Sequence, residues 1–226
     1  MGEVRVCRLG TIHYREALEL QMSLLEKRFK GEIGDVLLLL EHPPTFTIGR
    51  GGKNTHLLVN REELARRGIH FEAVSRGGDI TYHGPGQLVG YPIVDLGSIN
   101  RDIYSFLRNL EETIIIALGN FGLKARRIKG LTGVWVDNKK IASIGIGIKR
   151  WITYHGFALN VNTDLSYFNM IVPCGMQDVE ITSIKELLGK DINMKEVEDS
   201  IVDAFAKVFN KRVLEASLDE QREIKA

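Results

Sequence analysis

A chain of 226 residues, 44% hydrophobic and 26% charged, has the composition of an ordinary soluble globule with material for a substantial core. Thirty basic against twenty-nine acidic side chains leave a net charge of +1, so bulk electrostatics favour neither nucleic acid nor a membrane. Two distant cysteines give no disulfide framework and no metal-type spacing, and an apolar run such as Val36 to Leu40, which no other exceeds, is too short to span a bilayer, so a soluble cytoplasmic protein with reduced thiols is expected.

Val4 to Leu9 alternates as a first strand, and Tyr14, Leu18, Met22, Leu25 and Phe29 recur at helical spacing. Gly31 and Gly34 end that helix. Val36 to Glu41 reads as a buried strand closed by His42-Pro43-Pro44, followed by a short strand over Thr45 to Ile48. A basic loop, Arg50 to Lys53, precedes a short helix at Glu62 to Arg67 and strands at Phe71 to Ser75 and Leu88 to Val94. The clearest apolar stripe is Ile103, Leu107, Leu110, Ile114, Ala117 and Phe121, with Asp102 placed to cap the helix and Gly122 to end it.

Val134 to Val136 and Ile141 to Ile148 form a predicted hairpin around Asp137-Asn138-Lys139, and another strand runs from Phe157 to Val161. Ser183 with Glu186 makes a capping box for a short helix. Asn193 and Glu196 open the last helix, whose stripe is Val197, Ile201, Phe205 and Val208; the tail beyond Leu218 is charged and expected to fray. Strands with helices set irregularly between them predict an α+β (mixed α/β) fold around one predominantly antiparallel sheet. Without repeat, linker or composition break, residues 1–226 read as a single catalytic domain, with about 181–226 a candidate C-terminal helical appendage.

Four segments could carry chemistry. Arg76 to Gln87 is the densest polar and glycine stretch: Gly77 and Gly78 allow close backbone approach, Arg76 could fix an anion and His83 could move a proton. A surface hairpin loop with turn glycines explains the same residues. In Lys140 to Ile148, the isoleucines 144, 146 and 148 share one strand face, while Ser143, Gly145 and Gly147 share the other. That second face is either a groove for an extended hydrocarbon chain or a close strand crossing. Lys140 at a hairpin shoulder would by default be solvated, and His155 before a strand would by default be structural. Cys174 could be a common buried, inert cysteine, but Pro173 and Gly175 beside it favour an exposed turn that fixes the thiol; Cys7 in the first strand fits simple packing.

The segments Arg76-Gly-Gly-Asp-Ile-Thr-Tyr-His-Gly-Pro-Gly-Gln-Leu-Val-Gly-Tyr-Pro, Gly133-Val-Trp-Val, Lys140-Ile-Ala-Ser-Ile-Gly, Tyr154-His-Gly-Phe-Ala-Leu-Asn-Val and Ile171-Val-Pro-Cys-Gly together resemble the signature of the lipoyl(octanoyl) transferases. The resemblance runs in order from about Thr45 to Ser183, and no catalytic position departs from it. It implies the fold shared with lipoate and biotin protein ligases. It also implies transfer of octanoyl from acyl carrier protein to a lysine of lipoyl-domain proteins, namely 2-oxoacid dehydrogenase acyltransferase subunits and the glycine cleavage H protein.

By position, Cys174 would be the acyl-thioester nucleophile and Lys140 its acid/base partner. Arg76, Gly77, Gly78, Asp79, Ile80, Thr81, Tyr82, His83, Ser143, Ile144, Gly145, Gly156, Phe157 and Ala158 would line the acyl pocket. No metal and no cofactor of its own is implied, since octanoyl arrives on the donor's phosphopantetheine. Swapping one thioester for another needs no ATP. Arg126, Arg127, Lys129, Lys149 and Arg150 are candidates for docking an acidic carrier protein, or simply a solvated face. The rivals are an ATP-dependent ligase of the same fold and a non-catalytic acyl-binding module.

Overall fold

The computed structural model describes residues 2–98, 101–175 and 179–217; the charged tail beyond Leu218 lies outside these. In chain order the elements are β1 (Gly2–Thr11), α1 (Tyr14–Phe29), β2 (Asp35–Glu41), β3 (Thr45–Ile48), α2 (Arg61–Arg66), β4 (His70–Ala73), β5 (Ile80–His83), β6 (Gln87–Ile93) and α3 (Ile103–Gly119). Then follow β7 (Ala125–Arg126), β8 (Val134–Val136), β9 (Lys139–Lys149), β10 (Ile152–Asn160), α4 (Ile184–Leu188), α5 (Met194–Phe209) and β11 (Lys211–Glu215).

Eight strands form the main sheet in the order β11-β1-β2-β6-β10-β9-β8-β7. β1 runs parallel to both β11 and β2, and the remaining neighbours are antiparallel. Both faces of its centre are covered, which is why β2 reads as an unbroken apolar run. Leu37 and Leu39 enter the core under α3 and α5, whereas Val36, Leu38 and Leu40 enter the core under α1. The C-terminal residues complete the first of these layers: Ser200 of α5 donates to Ala117 O in α3 at 3.2 Å, and β11 adds the sheet's edge beside β1.

A second sheet, β4-β3-β5, stands beside the first, where the sequence predicts only one. Its third strand, β5, falls in the stretch that the residues allowed to be a loop. The alternation there is real but inverted in emphasis. Ile80 and Tyr82 pack into a small core with Phe46, Ile48, Leu64 and Phe168, while polar Thr81 and His83 turn to the other face.

Two helical stripes need correction or refinement. In α1 the buried positions are Tyr14, Ala17, Gln21, Leu24 and Leu25, rotated from the expected set; Phe29 is 51% exposed and lies under the Arg150 guanidinium. The buried Gln21 accepts the His155 N–H at 2.7 Å, serving a strand position that adopts φ 55. In α3, Asp102 caps as expected by accepting from Ser105 N at 3.0 Å. Ser183 likewise caps α4 through Glu186 N at 3.1 Å. Among the described residues no helix is long and apolar enough to cross a membrane.

Candidate active site

β9 and β10 form the longest hairpin, and their register places Gly145 opposite Gly156. Each glycine makes room for a close backbone approach. A Cβ on Gly156 would stand 2.0 Å from Gly90 O of the neighbouring strand β6, and one on Gly145 would stand 2.9 Å from Gly77 O. The missing Cβ of Gly145 lets the Arg76–Asp79 segment lie against the sheet, and Gly77 N donates to Ile146 O at 3.0 Å. Between this segment and the sheet runs a cleft of about 470 Å³, part of it open to solvent.

Most residues expected at a pocket meet there. Arg76, Gly77, Gly78, Asp79, Thr81, His83, Ser143, Ile144, Gly145, Gly156, Phe157 and Ala158 line the cleft, and Cys174 lies at it too. Ile80 and Tyr82 do not; strand alternation sends them into the small core. Tyr14, Tyr91 and His155 complete the lining. Tyr14 was legible only as a helix-stripe residue, and nothing in its spacing singles it out. The glycine face of β9 is not one continuous groove. The Tyr154 ring fills the place of a Gly147 side chain, 2.3 Å from its ideal Cβ.

Lys140 is only 3% exposed, contrary to the default for a hairpin shoulder. Its Nζ lies 5.3 Å from the centre of the buried Trp135 ring. Gly133, at φ 137, makes the room: a Cβ there would stand 2.8 Å from Lys140 Cε. The main chain of Lys140 is pinned to the 180–182 segment, donating to Glu180 O at 2.7 Å and accepting from Thr182 N at 2.9 Å. The amine therefore points inward, and Nζ donates to Cys174 Sγ at 3.1 Å. Among the described residues no carboxylate pairs with Lys140, so its polar partner is the thiol.

The cleft also contains a buried cation and neutral rings. The Arg76 guanidinium donates to Thr47 O and Thr47 Oγ1, both at 2.8 Å, and burial lowers its pKa. Burial also lowers the histidines, because the charged ring loses its hydration. His42 falls to about 4, His155 to about 3, and His83 well below its ordinary value. His42 donates from Nδ1 to Ile12 O at 2.7 Å and accepts from Tyr91 Oη at 2.7 Å, the pattern of a neutral ring. Lowered in this way, all three rings favour the neutral form at neutral pH. Burial likewise raises Tyr14 to about 12.

The basic residues proposed for docking are largely occupied. Arg127 pairs with buried Glu111 at 3.0 Å and with Glu112 at 2.5 Å. Glu111 in turn accepts from Gly133 N at 3.1 Å, so this ion pair supports the shelf beneath Lys140. Lys149 and Arg150 share Glu26 at 2.8 and 3.0 Å, and Arg126 bonds Asp137 O and Asn138 Oδ1.

The chain superposes on the crystal structure of a lipoate-protein ligase A bound with ATP with a TM-score of 0.80, covering 99% of this chain and 92% of that one at 19% identity. A biotin protein ligase from Aquifex aeolicus matches with a TM-score of 0.53 at 14% identity, covering 93% of this chain and 70% of that one. The fold is thus that of the lipoate and biotin protein ligases.

A family model for the lipoyl protein ligase A/B catalytic domain matches residues 13–206. An octanoyltransferase of Caldicellulosiruptor bescii is 50% identical over 210 residues, 92% of each chain. One of Caldicellulosiruptor saccharolyticus is 46% identical over 224 residues, covering 98% of this chain and 95% of its own. The chain belongs to the lipoyl protein ligase A/B catalytic family and, within it, to the octanoyltransferases: it is a transferase of protein lipoylation.

Proposed function

We propose that Cys174 carries octanoyl as a thioester between an acyl carrier protein and a lysine of a lipoyl domain, with Lys140 moving the protons. The observation that carries this reading is the 3.1 Å contact between Lys140 Nζ and Cys174 Sγ at the cleft. A free thiol is only a few per cent thiolate at neutral pH, so an adjacent base raises the reactive fraction.

In the first half-reaction Lys140 takes the Sγ proton and Sγ attacks the donor thioester carbonyl. The bond to the pantetheine sulfur breaks, and the Lys140 ammonium returns its proton to the leaving thiolate. One thioester replaces another, so the step consumes no ATP, and the donor's phosphopantetheine leaves as its free thiol. In the second, the acceptor lysine's neutral amine attacks the Cys174 thioester. The C–N bond forms, the C–S bond breaks, and Lys140 carries the surplus amine proton to the departing Cys174 sulfur. The amide product makes this step downhill. The cleft between the Arg76–Asp79 segment and the Ser143–Gly145 strand would hold the octanoyl chain. Neutral histidines there avoid placing further full charges beside it.

Lys140→Ala tests the proton role. Octanoyl transfer from octanoyl-carrier protein to a lipoyl domain, without ATP, is expected to fall by about 10²- to 10⁴-fold, the usual contribution of a positioned acid/base. Circular dichroism should remain native, because among the described residues the amine bonds no backbone group. Undiminished turnover removes Lys140 from the mechanism, and a strict ATP requirement in the wild type favours a ligase.

A further inference from the structure

We propose that His56 and Asp79 form a clamp that holds the Cys174 turn in its reactive geometry, making His56 a positioning residue for acyl transfer. The inference rests on the reading of Cys174 as the nucleophile. It starts from a conformational difficulty: Cys174 adopts φ 56 and ψ 19, a left-handed backbone uncommon for a residue with a side chain. Such a conformation persists only where neighbours over-determine it. Here it also directs Sγ to Lys140 Nζ.

His56 grips the turn at both ends. On the incoming side its main-chain oxygen accepts Val172 N at 2.8 Å, Leu57 bridges Ile171, and Leu58 N donates to Met170 O at 2.9 Å. Residues 56–58 thus lie as a splint along 170–172. On the outgoing side the ring and the Asp79 carboxylate occupy the place of a Gly175 side chain. An ideal Cβ there would be 2.7 Å from Asp79 Oδ2 and 3.1 Å from His56 Cε1. The carboxylate is fixed in turn: His56 donates from Nδ1 to Oδ2 at 2.6 Å, and Ile80 N donates to Oδ1 at 2.6 Å. Through Asp79 the clamp joins the nucleophile turn to the glycine segment that walls the cleft. Neither half-reaction needs a proton from His56, so its role is placement rather than transfer.

The variants are His56→Ala, His56→Asn, Asp79→Ala and the double alanine. The asparagine amide can still donate to Asp79. Two readouts are needed: iodoacetamide alkylation of Cys174, located by peptide mapping because Cys7 is buried, and kcat and KM for octanoyl loading from octanoyl-pantetheine. His56→Ala should slow alkylation and loading kcat on the order of tenfold, as expected for sub-ångström misplacement of a reacting group, with KM changed less than about twofold. His56→Asn should recover most of the loss, and the double variant should be no worse than the poorer single variant.

Wild-type rates in His56→Ala, or no recovery in His56→Asn, overturn the clamp. If His56→Ala fails to fold, Asp79→Ala decides: a wild-type alkylation rate there overturns it equally, as do additive losses in a double variant that folds. Alkylation reads the turn without octanoyl. A wild type that alkylates at Cys174 yet never loads octanoyl therefore contradicts the transfer reading alone.

Discussion

Acid should destabilise this protein well before its carboxylates titrate fully, because three histidines are buried as neutral rings. The perturbation is a change from pH 7.5 to 5.5. His42 and His155 titrate near 4 and 3 in the fold against 6.5 when exposed, and His83 is also held well below 6.5. In this window the unfolded chain binds protons that the folded chain refuses. Stability is therefore complete above pH 6.5 and is lost as pH falls toward the folded values. Each histidine goes from about 9% to about 91% protonated in the unfolded chain, which costs the fold about 1.4 kcal/mol. His42 and His155 together cost about 3 kcal/mol, a large share of the 5–15 kcal/mol of a typical domain, and His83 acts in the same direction. Urea unfolding followed by tryptophan fluorescence reads this directly. At about 2–3 kcal/mol per molar urea, the midpoint should fall by about 1–1.5 M. Midpoints within about 0.3 M of each other would refute the neutral buried rings.

The two faces of β5 and the occupied docking arginines give further expectations. Ile80→Val should cost about 0.5–1.5 kcal/mol of stability with unchanged KM for octanoyl-pantetheine, since Ile80 packs away from the cleft. Gly145→Ala should instead raise that KM, because its Cβ would press on Gly77 O and Arg76 Cδ at 2.9 and 3.3 Å; an unchanged KM contradicts the cleft as the acyl site. Arg127→Glu should lower stability by about 2 kcal/mol, below the loss for a fully buried pair because Arg108 still holds Glu111. That appears as a fall in Tm of roughly 5 °C. Arg126→Glu should leave Tm within about 2 °C, which makes it the cleaner probe of carrier-protein docking; an equal fall in Tm in both variants contradicts the difference between them.

The elements legible in the sequence are those whose burial shows as periodicity. β2 is an unbroken apolar run because both its faces are covered, and α3 and α5 carry long stripes beside good caps. β5 was obscured because its cleft-facing residues, Thr81 and His83, are as polar as a loop's. α1 shifted because Gln21 spends a core position on the irregular backbone at His155. β11 is an edge strand of uneven partial burial, and its parallel partner β1 is some two hundred residues away, beyond any local pattern.

At the site, the motif resemblance named Cys174 and Lys140, but Lys140's burial depends on the missing Cβ of Gly133 and the Trp135 ring. Those contacts come from strand pairing and leave no local trace. His56 was missed for the same reason. Its partners Asp79 and Gly175 are remote in sequence, and a lone histidine in a short turn carries no pattern.

The central claim is that Cys174 holds the acyl group. Intact mass after incubation with octanoyl-acyl carrier protein, with the lipoyl domain withheld, tests it most directly. The account predicts one octanoyl group per chain, about 126 Da for the added C8H14O, located on the Cys174 peptide, removed by hydroxylamine and absent from Cys174→Ala. No adduct on the wild type, or an equal adduct on Cys174→Ala, would contradict it.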